Sequence, residues 1–195
     1  MNARIFSSLS DPDLAAALLQ GAVGVIPTDT VYGLVAKASE RSAIDRLYRT
    51  KPRPLQPGTI IGSCLADFEE LGFRADELEL CNKFWPAAVS VVLNATNVAH
   101  FLKKDRATLP VRLPADVQLV ALLEQTGALM TSSANLPGQP TATSIEAARQ
   151  YFGESVDFYV DVGDLSDRPP STIIGFDNNK QIVVHRHGAV DITTL

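Results

Sequence analysis

Two separated stretches of the chain carry side chains suited to binding a phosphate-bearing ligand. The first, residues 26–53, ends in two cations, Lys51 and Arg53, and the second, residues 131–135, reads Thr-Ser-Ser-Ala-Asn. Together they supply hydroxyls, an amide and two positive charges. Such groups hold anionic oxygens by charge and by hydrogen-bond donation, so phosphate binding is the chemistry that these residue types favour.

The two cations each precede a proline, Lys51 before Pro52 and Arg53 before Pro54. A residue before proline is pushed out of the α region, and residues i and i+2 of an extended chain lean to one side. A polyproline-like twist loosens that alignment. The pattern predicts a preformed anion clamp, in which Arg offers a planar fork and Lys a mobile charge. A solvated, proline-rich turn is the alternative interpretation.

The charge balance favours a small anionic ligand over nucleic acid. Of 195 residues, 17 are Lys or Arg and 22 are Asp or Glu, giving a net charge of -5, whereas nucleic-acid-binding domains are usually basic. Residues 37–53 nevertheless hold six cations and two anions. A basic loop on an acidic protein is best explained by a small anion.

The chain shows no signal for export or for membrane insertion. The N-terminus leads into no long apolar run, and no stretch approaches the ~20 apolar residues of a membrane span. Cys64 and Cys81 form no metal spacing and are predicted to be buried thiols of a reducing compartment. We therefore expect a cytoplasmic protein without membrane contact.

Helix and strand signals alternate along the chain, which predicts one α/β domain over residues 1–195. The β-rich later part favours a mixed sheet with flanking helices. The strand at 108–113 contains Pro110 and is therefore expected near an edge or a bulge. Arg112 in that strand is either paired with a carboxylate or faces a ligand. The acidic loop from Gly163 to Pro170 is a candidate mobile lid.

Several enzyme classes find no support in the motifs. The sequence has no Walker-type glycine loop, no GxGxxG and no Cys/His metal set, so we predict no metal ligated by protein side chains. Ser133 lacks the Gly-x-Ser-x-Gly frame of a nucleophile elbow, and its turn can also be read as purely structural. A site of cations and hydrogen-bond donors works by positioning reactants and stabilising charge.

Taken in order, a set of short motifs resembles the YrdC-like family, specifically its single-domain threonylcarbamoyl-AMP synthases (TsaC type). Each motif is weak alone, but the ordered set is specific and covers about residues 20 to 190. The motifs are Pro-Thr-Asp-Thr-Val-Tyr-Gly-Leu (27–34), Lys-x-Arg-Pro (51–54), Phe-Trp-Pro (84–86), Val-Arg-Leu-Pro (111–114), Ser-Ser-Ala-Asn-Leu-x-Gly (132–138), Ser-Thr-Ile-Ile (171–174) and Arg-x-Gly (186–188).

The resemblance implies a twisted, open α/β sheet with a large concave basic cavity. It implies a nucleotidyltransferase that converts L-threonine, bicarbonate and ATP, used with Mg²⁺, into threonylcarbamoyl-AMP and pyrophosphate. Other proteins then transfer the threonylcarbamoyl group to an adenosine of tRNA. Without a C-terminal extension, the two-domain version of the family is not expected.

The family's functional positions carry over onto matching residues of this chain. Those expected around the phosphates and the carbamate are Lys51, Arg53, Ser133 and Asn135. The amino-acid end is expected at Thr28, Thr30 and Arg112, with Arg112 taking the carboxylate. Ser171 and Arg186 are expected to close over the ligands, with Arg186 on the nucleotide.

Some residues depart from the family pattern, and two alternatives to the synthase stay open. Val117 stands near a position where the family commonly has His, Ser90 replaces a usual Thr, and Pro137 replaces a usual Ser. One alternative is a divergent paralogue that makes another carbamoyl-adenylate, for example from carbamoyl phosphate. The other is a non-catalytic module that binds tRNA or double-stranded RNA, which the net charge disfavours.

Overall fold

An open, mixed sheet organises the molecule. The computed structural model describes residues 3–52 and 57–194. Its strands are β1 (Arg4–Phe6), β2 (Gly24–Pro27), β3 (Tyr32–Lys37), β4 (Thr59–Ile61), β5 (Val89–Asn94), β6 (Thr108–Arg112), β7 (Leu129–Ser133), β8 (Phe158–Val160), β9 (Thr172–Phe176) and β10 (Ile182–Arg186). Its helices are α1 (Pro12–Leu19), α2 (Arg41–Thr50), α3 (Leu65–Glu69), α4 (Ala75–Glu79), α5 (His100–Lys103), α6 (Val117–Thr126) and α7 (Ile145–Phe152), with 3₁₀ turns at Asn82–Phe84 and Ile192–Thr194.

In these described residues the ten strands run in the order β1-β8-β2-β3-β7-β4-β6-β5-β9-β10. Four of these strand pairs are parallel (β1 with β8, β2 with β8, β4 with β6, β5 with β9), and the other five are antiparallel. The predicted mixed sheet with flanking helices is therefore confirmed. The order places β7, which comes late in the chain, between β3 and β4, and so brings the two polar stretches together.

The apolar side chains of the central strands pack into two cores, one on each face of the sheet. Neighbouring residues of β2, Val25 and Ile26, are both fully buried but belong to different cores, as alternation along a strand requires. Leu14 and Leu18 of α1 pack in the core that contains Ile26, together with three leucines of α6. Helices α2 and α7 supply Ile44 and other apolar residues to the opposite core. A strand covered on both faces needs this nearly continuous apolar sequence.

Two expectations from the sequence were wrong. Strand β6 lies between β4 and β5, not at an edge of the sheet. Pro110 is tolerated there because β4 pairs with β6 at Val111 and Arg112, so Pro110 lies beyond that ladder and lines a cavity. Cys81 is buried as predicted, but Cys64 is exposed.

Within residues 3–52 and 57–194, no helix combines the length and the apolar character needed to cross a membrane.

Candidate active site

A cavity of about 170 Å³ opens where the β2–β3 turn, the end of β7 and the start of β9 meet. Strand β6 and the end of β10 complete its walls. Six of the nine side chains predicted to bind ligands line it: Thr28, Thr30, Arg112, Ser133, Ser171 and Arg186. The sheet order thus gathers residues that are up to 158 positions apart in the chain into one concave site.

Lys51 lies at the C-terminal end of α2 and reaches the end of β7. It is 98% buried, since its relative exposure is 2%. Its Nζ donates to the carbonyl of Ser133 at 2.5 Å, to Asn135 Oδ1 at 2.9 Å and to Ser133 Oγ at 3.2 Å. These three acceptors are uncharged, and they fix the position of the ammonium.

The turn after β7 is built to present those acceptors. Ser133 Oγ donates to Asn135 Oδ1 at 2.6 Å, and the backbone N–H of Asn135 returns to the Ser133 carbonyl at 2.9 Å. The Asn135 amide donates to the carbonyls of Leu136 and Gln139. With both ends of the amide bonded, its oxygen is fixed toward Lys51.

The structure tests the predicted anion clamp of Lys51 and Arg53 only at Lys51. Lys51 has φ -126° and ψ 87°, which lies outside the α region, as expected before Pro52, but short of a fully extended backbone. Arg53 lies outside the described residues.

Arg112 is paired with a carboxylate, which is one of the two alternatives that the sequence left open. Its Nη2 lies 2.8 Å from Asp29 Oδ1, and both side chains are almost fully buried, with exposures of 4% and 6%. It also lines the cavity. In the described part of the chain neither Asp29 oxygen accepts a well-directed hydrogen bond, so the contact is an ion pair with imperfect geometry.

Burial dominates the electrostatics of this pair. It raises the pKa of Asp29 above its ordinary value even though the Arg112 charge pulls that pKa down. It also lowers the pKa of Arg112, against the attraction of Asp29. Both shifts have the same cause, because a site that excludes water disfavours each charged form.

The β2–β3 turn contributes two hydroxyls to the cavity. Thr28 Oγ1 and Thr30 Oγ1 lie 3.0 Å apart, and Thr28 Oγ1 donates to the Val31 carbonyl at 2.6 Å. Gly33 follows at the cavity wall, where a Cβ would collide with Thr131 Oγ1. Glycine therefore allows β3 to approach β7 closely at this point.

Ser171 and Arg186 form another part of the cavity wall. Arg186 Nη2 donates to the Ser171 carbonyl at 2.8 Å and to its Oγ at 3.0 Å. Gly188 packs so close to the carbonyl of Pro170 that any Cβ would clash with that oxygen. This contact explains the Arg-x-Gly spacing, because the chain after Arg186 must pass directly against the residue before Ser171.

Sequence reasoning did not identify Tyr32 and Arg168, which attach residues 161–170 to the site. Tyr32 Oη donates to the Gly163 carbonyl at 2.8 Å and accepts from the Val162 N–H at 3.1 Å, and burial raises the pKa of Tyr32, which keeps its proton. Arg168 Nη1 donates to the Thr28 carbonyl at 3.3 Å. The loop expected to act as a lid is thus bonded to the β2–β3 turn, and its mobility stays a prediction.

Metal-ligating side chains do not cluster in the parts of the chain that the structure describes. No group of three or more His, Cys, Asp or Glu residues there is arranged to hold a metal ion. Magnesium used with ATP is usually held by the phosphates and water with one or two carboxylates, so it requires no dedicated cage.

Comparison with known proteins gives a consistent result. Residues 16–188 match the Sua5/YciO/YrdC family model, described as "Telomere recombination". Over 183 residues the chain is 32% identical to the threonylcarbamoyl-AMP synthase of Pseudoalteromonas translucida (strain TAC 125), covering 88% of this chain and 98% of that protein.

Two solved structures share the fold. The P. abyssi Sua5 chain crystallised in complex with L-threonine matches with a TM-score of 0.84 and 25% identity, over 97% of this chain and 59% of that one. The chain therefore spans less than two thirds of that protein. E. coli YciO matches with a TM-score of 0.81 and 24% identity, over 97% of this chain and 98% of that one.

Proposed function

Because this chain belongs to the Sua5/YciO/YrdC family, we propose that it is an L-threonylcarbamoyladenylate synthase. As a single domain over residues 1–195, it converts L-threonine, bicarbonate and ATP into threonylcarbamoyl-AMP and pyrophosphate. The names of its relatives and the threonine complex of P. abyssi Sua5 support these substrates. The observation that carries the proposal is the buried Lys51, held by Asn135 and by Ser133, which lines the cavity.

The chemistry needs no protein nucleophile. The amine of threonine attacks the carbon of bicarbonate and water leaves, which gives a carbamate. A carbamate oxygen then attacks the α-phosphorus of ATP, and the bond to pyrophosphate breaks. Both steps bring anions together, so fixed positive charges and alignment lower the barrier.

The site residues divide this work. Lys51 acts on the phosphates by its charge, and an incoming phosphate oxygen displaces its longest contact, the 3.2 Å one to Ser133 Oγ. Arg53 is proposed to add a fork for two oxygens, and Arg186 to bind the nucleotide. Arg112, Thr28 and Thr30 hold the amino acid, and Ser171 closes over both ligands. Mg²⁺ enters with ATP and supplies charge neutralisation at its phosphates.

Val117 stands near a position where the family commonly has His, and this difference does not argue against threonine as the substrate. Val117 is 81% exposed and lines a separate apolar groove instead of the cavity. The product is proposed to pass, in the cytoplasm, to proteins that transfer the threonylcarbamoyl group to tRNA.

The decisive experiment is pyrophosphate release from ATP and bicarbonate, with and without L-threonine, and mass spectrometry of the product. We expect strict dependence on threonine. Lys51→Met should lower kcat/KM about 100- to 1000-fold, as the loss of a group that stabilises transition-state charge does. Arg49→Met is the matched control, because Arg49 is an exposed cation on the same helix, and it should stay near wild type.

Two further assays test the alternative functions that the sequence left open, with carbamoyl phosphate as substrate and with double-stranded RNA as ligand. Threonine-independent turnover with carbamoyl phosphate would replace the synthase by a paralogous reaction. Binding of double-stranded RNA without any turnover would replace it by a binding module.

A further inference from the structure

Two buried hydroxyls, those of Ser90 and Ser171, connect Arg112 to Arg186 by hydrogen bonds. Ser90 Oγ and Ser171 Oγ lie 3.0 Å apart. Ser171 lines the cavity, whereas Ser90 lies behind it in β5 with no exposed surface. Ser90 therefore cannot touch a ligand in the cavity, but it touches a residue that can.

The register of the sheet places Ser90 opposite Arg112. Strands β5 and β6 pair Val91 with Val111, so one further step sets Ser90 against Arg112. Arg112 Nη1 donates to Ser90 Oγ at 3.3 Å. At the other end, Arg186 Nη2 donates to Ser171 Oγ at 3.0 Å. A guanidinium can only donate, so each hydroxyl oxygen already accepts one hydrogen bond.

The remaining question is which serine donates to the other. If Ser171 donates, the proton of Ser90 needs another acceptor, and Ser90 has none among the residues that the structure describes. A buried donor without an acceptor is costly. If Ser90 donates, both lone pairs of Ser171 are occupied and its proton is available to the cavity. The second arrangement satisfies every group once a ligand oxygen accepts that proton.

We propose that Ser90 is a positioning residue, which orients the Ser171 hydroxyl as a hydrogen-bond donor to an anionic ligand oxygen in the cavity. This inference rests on the proposed function for the identity of the ligand, which is the carboxylate of threonine or an oxygen of the nucleotide and carbamate. Ser90 acts only through Ser171 and Arg112.

The test is a double-mutant cycle with Ser90→Ala, Ser171→Ala and both together, measured as kcat/KM for threonine and for ATP. Loss of a donor to a charged acceptor should lower kcat/KM about tenfold in Ser90→Ala. The double variant should equal Ser171→Ala within about twofold, since Ser90 has nothing left to orient. Ser90→Thr keeps the hydroxyl and should restore most of the activity. The proposal would be overturned if the losses in kcat/KM of the two single variants multiplied in the double variant, or if Ser90→Ala were fully active.

Calorimetric binding of L-threonine and of ATP to the same variants separates this inference from the proposed function. An increase in Kd of about tenfold for threonine alone identifies the carboxylate as the acceptor, and one for ATP alone identifies a nucleotide oxygen. If the wild type binds but does not turn over, the synthase assignment fails while the role of Ser90 stands. If Ser90→Ala changes neither binding nor turnover in a competent enzyme, the role of Ser90 is excluded.

Discussion

Two buried cations of the site, Lys51 and Arg112, differ in the contacts that the described residues make with them. Lys51 donates to a carbonyl, a hydroxyl and an amide, all uncharged. Arg112 faces the carboxylate of Asp29 at 2.8 Å. Uncharged acceptors orient a cation, whereas a carboxylate also cancels much of its charge.

The different surroundings of Lys51 and Arg112 explain how one cavity can bind two anionic reactants. The Lys51 end is suited to attracting phosphates by charge. The Asp29–Arg112 end is close to neutral. Its guanidinium N–H groups donate hydrogen bonds in fixed directions, which select ligands by shape more than by charge. The following three predictions test this division, from the largest expected effect to the smallest.

Removing the carboxylate should expose the cost of a buried charge. Asp29→Asn leaves Arg112 without its counter-ion, and we expect a loss of about 3–5 kcal/mol in the free energy of unfolding. Urea denaturation at neutral pH measures it. Asp29→Asn with Arg112→Leu should recover much of that stability, because no unpaired charge remains buried, but should recover no activity.

An exposed ion pair provides the control. Arg4 and Asp13 form a pair in which both side chains are about 60% exposed. Asp13→Asn should cost less than about 1 kcal/mol. Equal losses for Asp29→Asn and Asp13→Asn would show that the Asp29–Arg112 pair is no different from a surface contact.

Adding a carboxylate beside Lys51 should weaken the attraction of this lysine for the phosphates. Asn135→Asp places a negative charge where the amide oxygen now accepts from Lys51 at 2.9 Å. Asn135→Ala is the matched control, because both variants lose the amide donors to Leu136 and Gln139. We expect kcat/KM for ATP to be about tenfold lower in Asn135→Asp than in Asn135→Ala, since the new charge competes with the phosphates. If Asn135→Asp is as active as Asn135→Ala, the net charge at Lys51 is unimportant.

The smallest effect is expected at Thr30, beside Asp29. Thr30→Val removes a hydroxyl that lines the cavity and lies 3.0 Å from Thr28 Oγ1, at nearly constant volume. Loss of one hydrogen bond should raise KM for threonine about 3- to 10-fold and leave KM for ATP unchanged. Thr30→Ser should stay near wild type. A matching rise in KM for ATP would show that this end of the cavity does not discriminate between the two substrates.

Local signals predicted several elements correctly. Asp-Asn-Asn at 177–179 is a turn-forming sequence between two apolar runs, and those runs pair as the antiparallel strands β9 and β10. The sequence pattern did not predict strand β3, because Gly33 and the preceding polar turn interrupt its apolar run. Strand β1 was missed because three residues carry little periodicity.

The sequence by itself determined the types of the site residues and kept Lys51 out of the α region, because proline acts on its immediate neighbour through sterics alone. It also predicted the mixed sheet. Only the tertiary structure decided that Asp29 is the partner of Arg112 and that Ser90 lies behind Ser171. Those contacts depend on which strands become neighbours, and strand order follows from the packing of the whole chain, which no local pattern encodes.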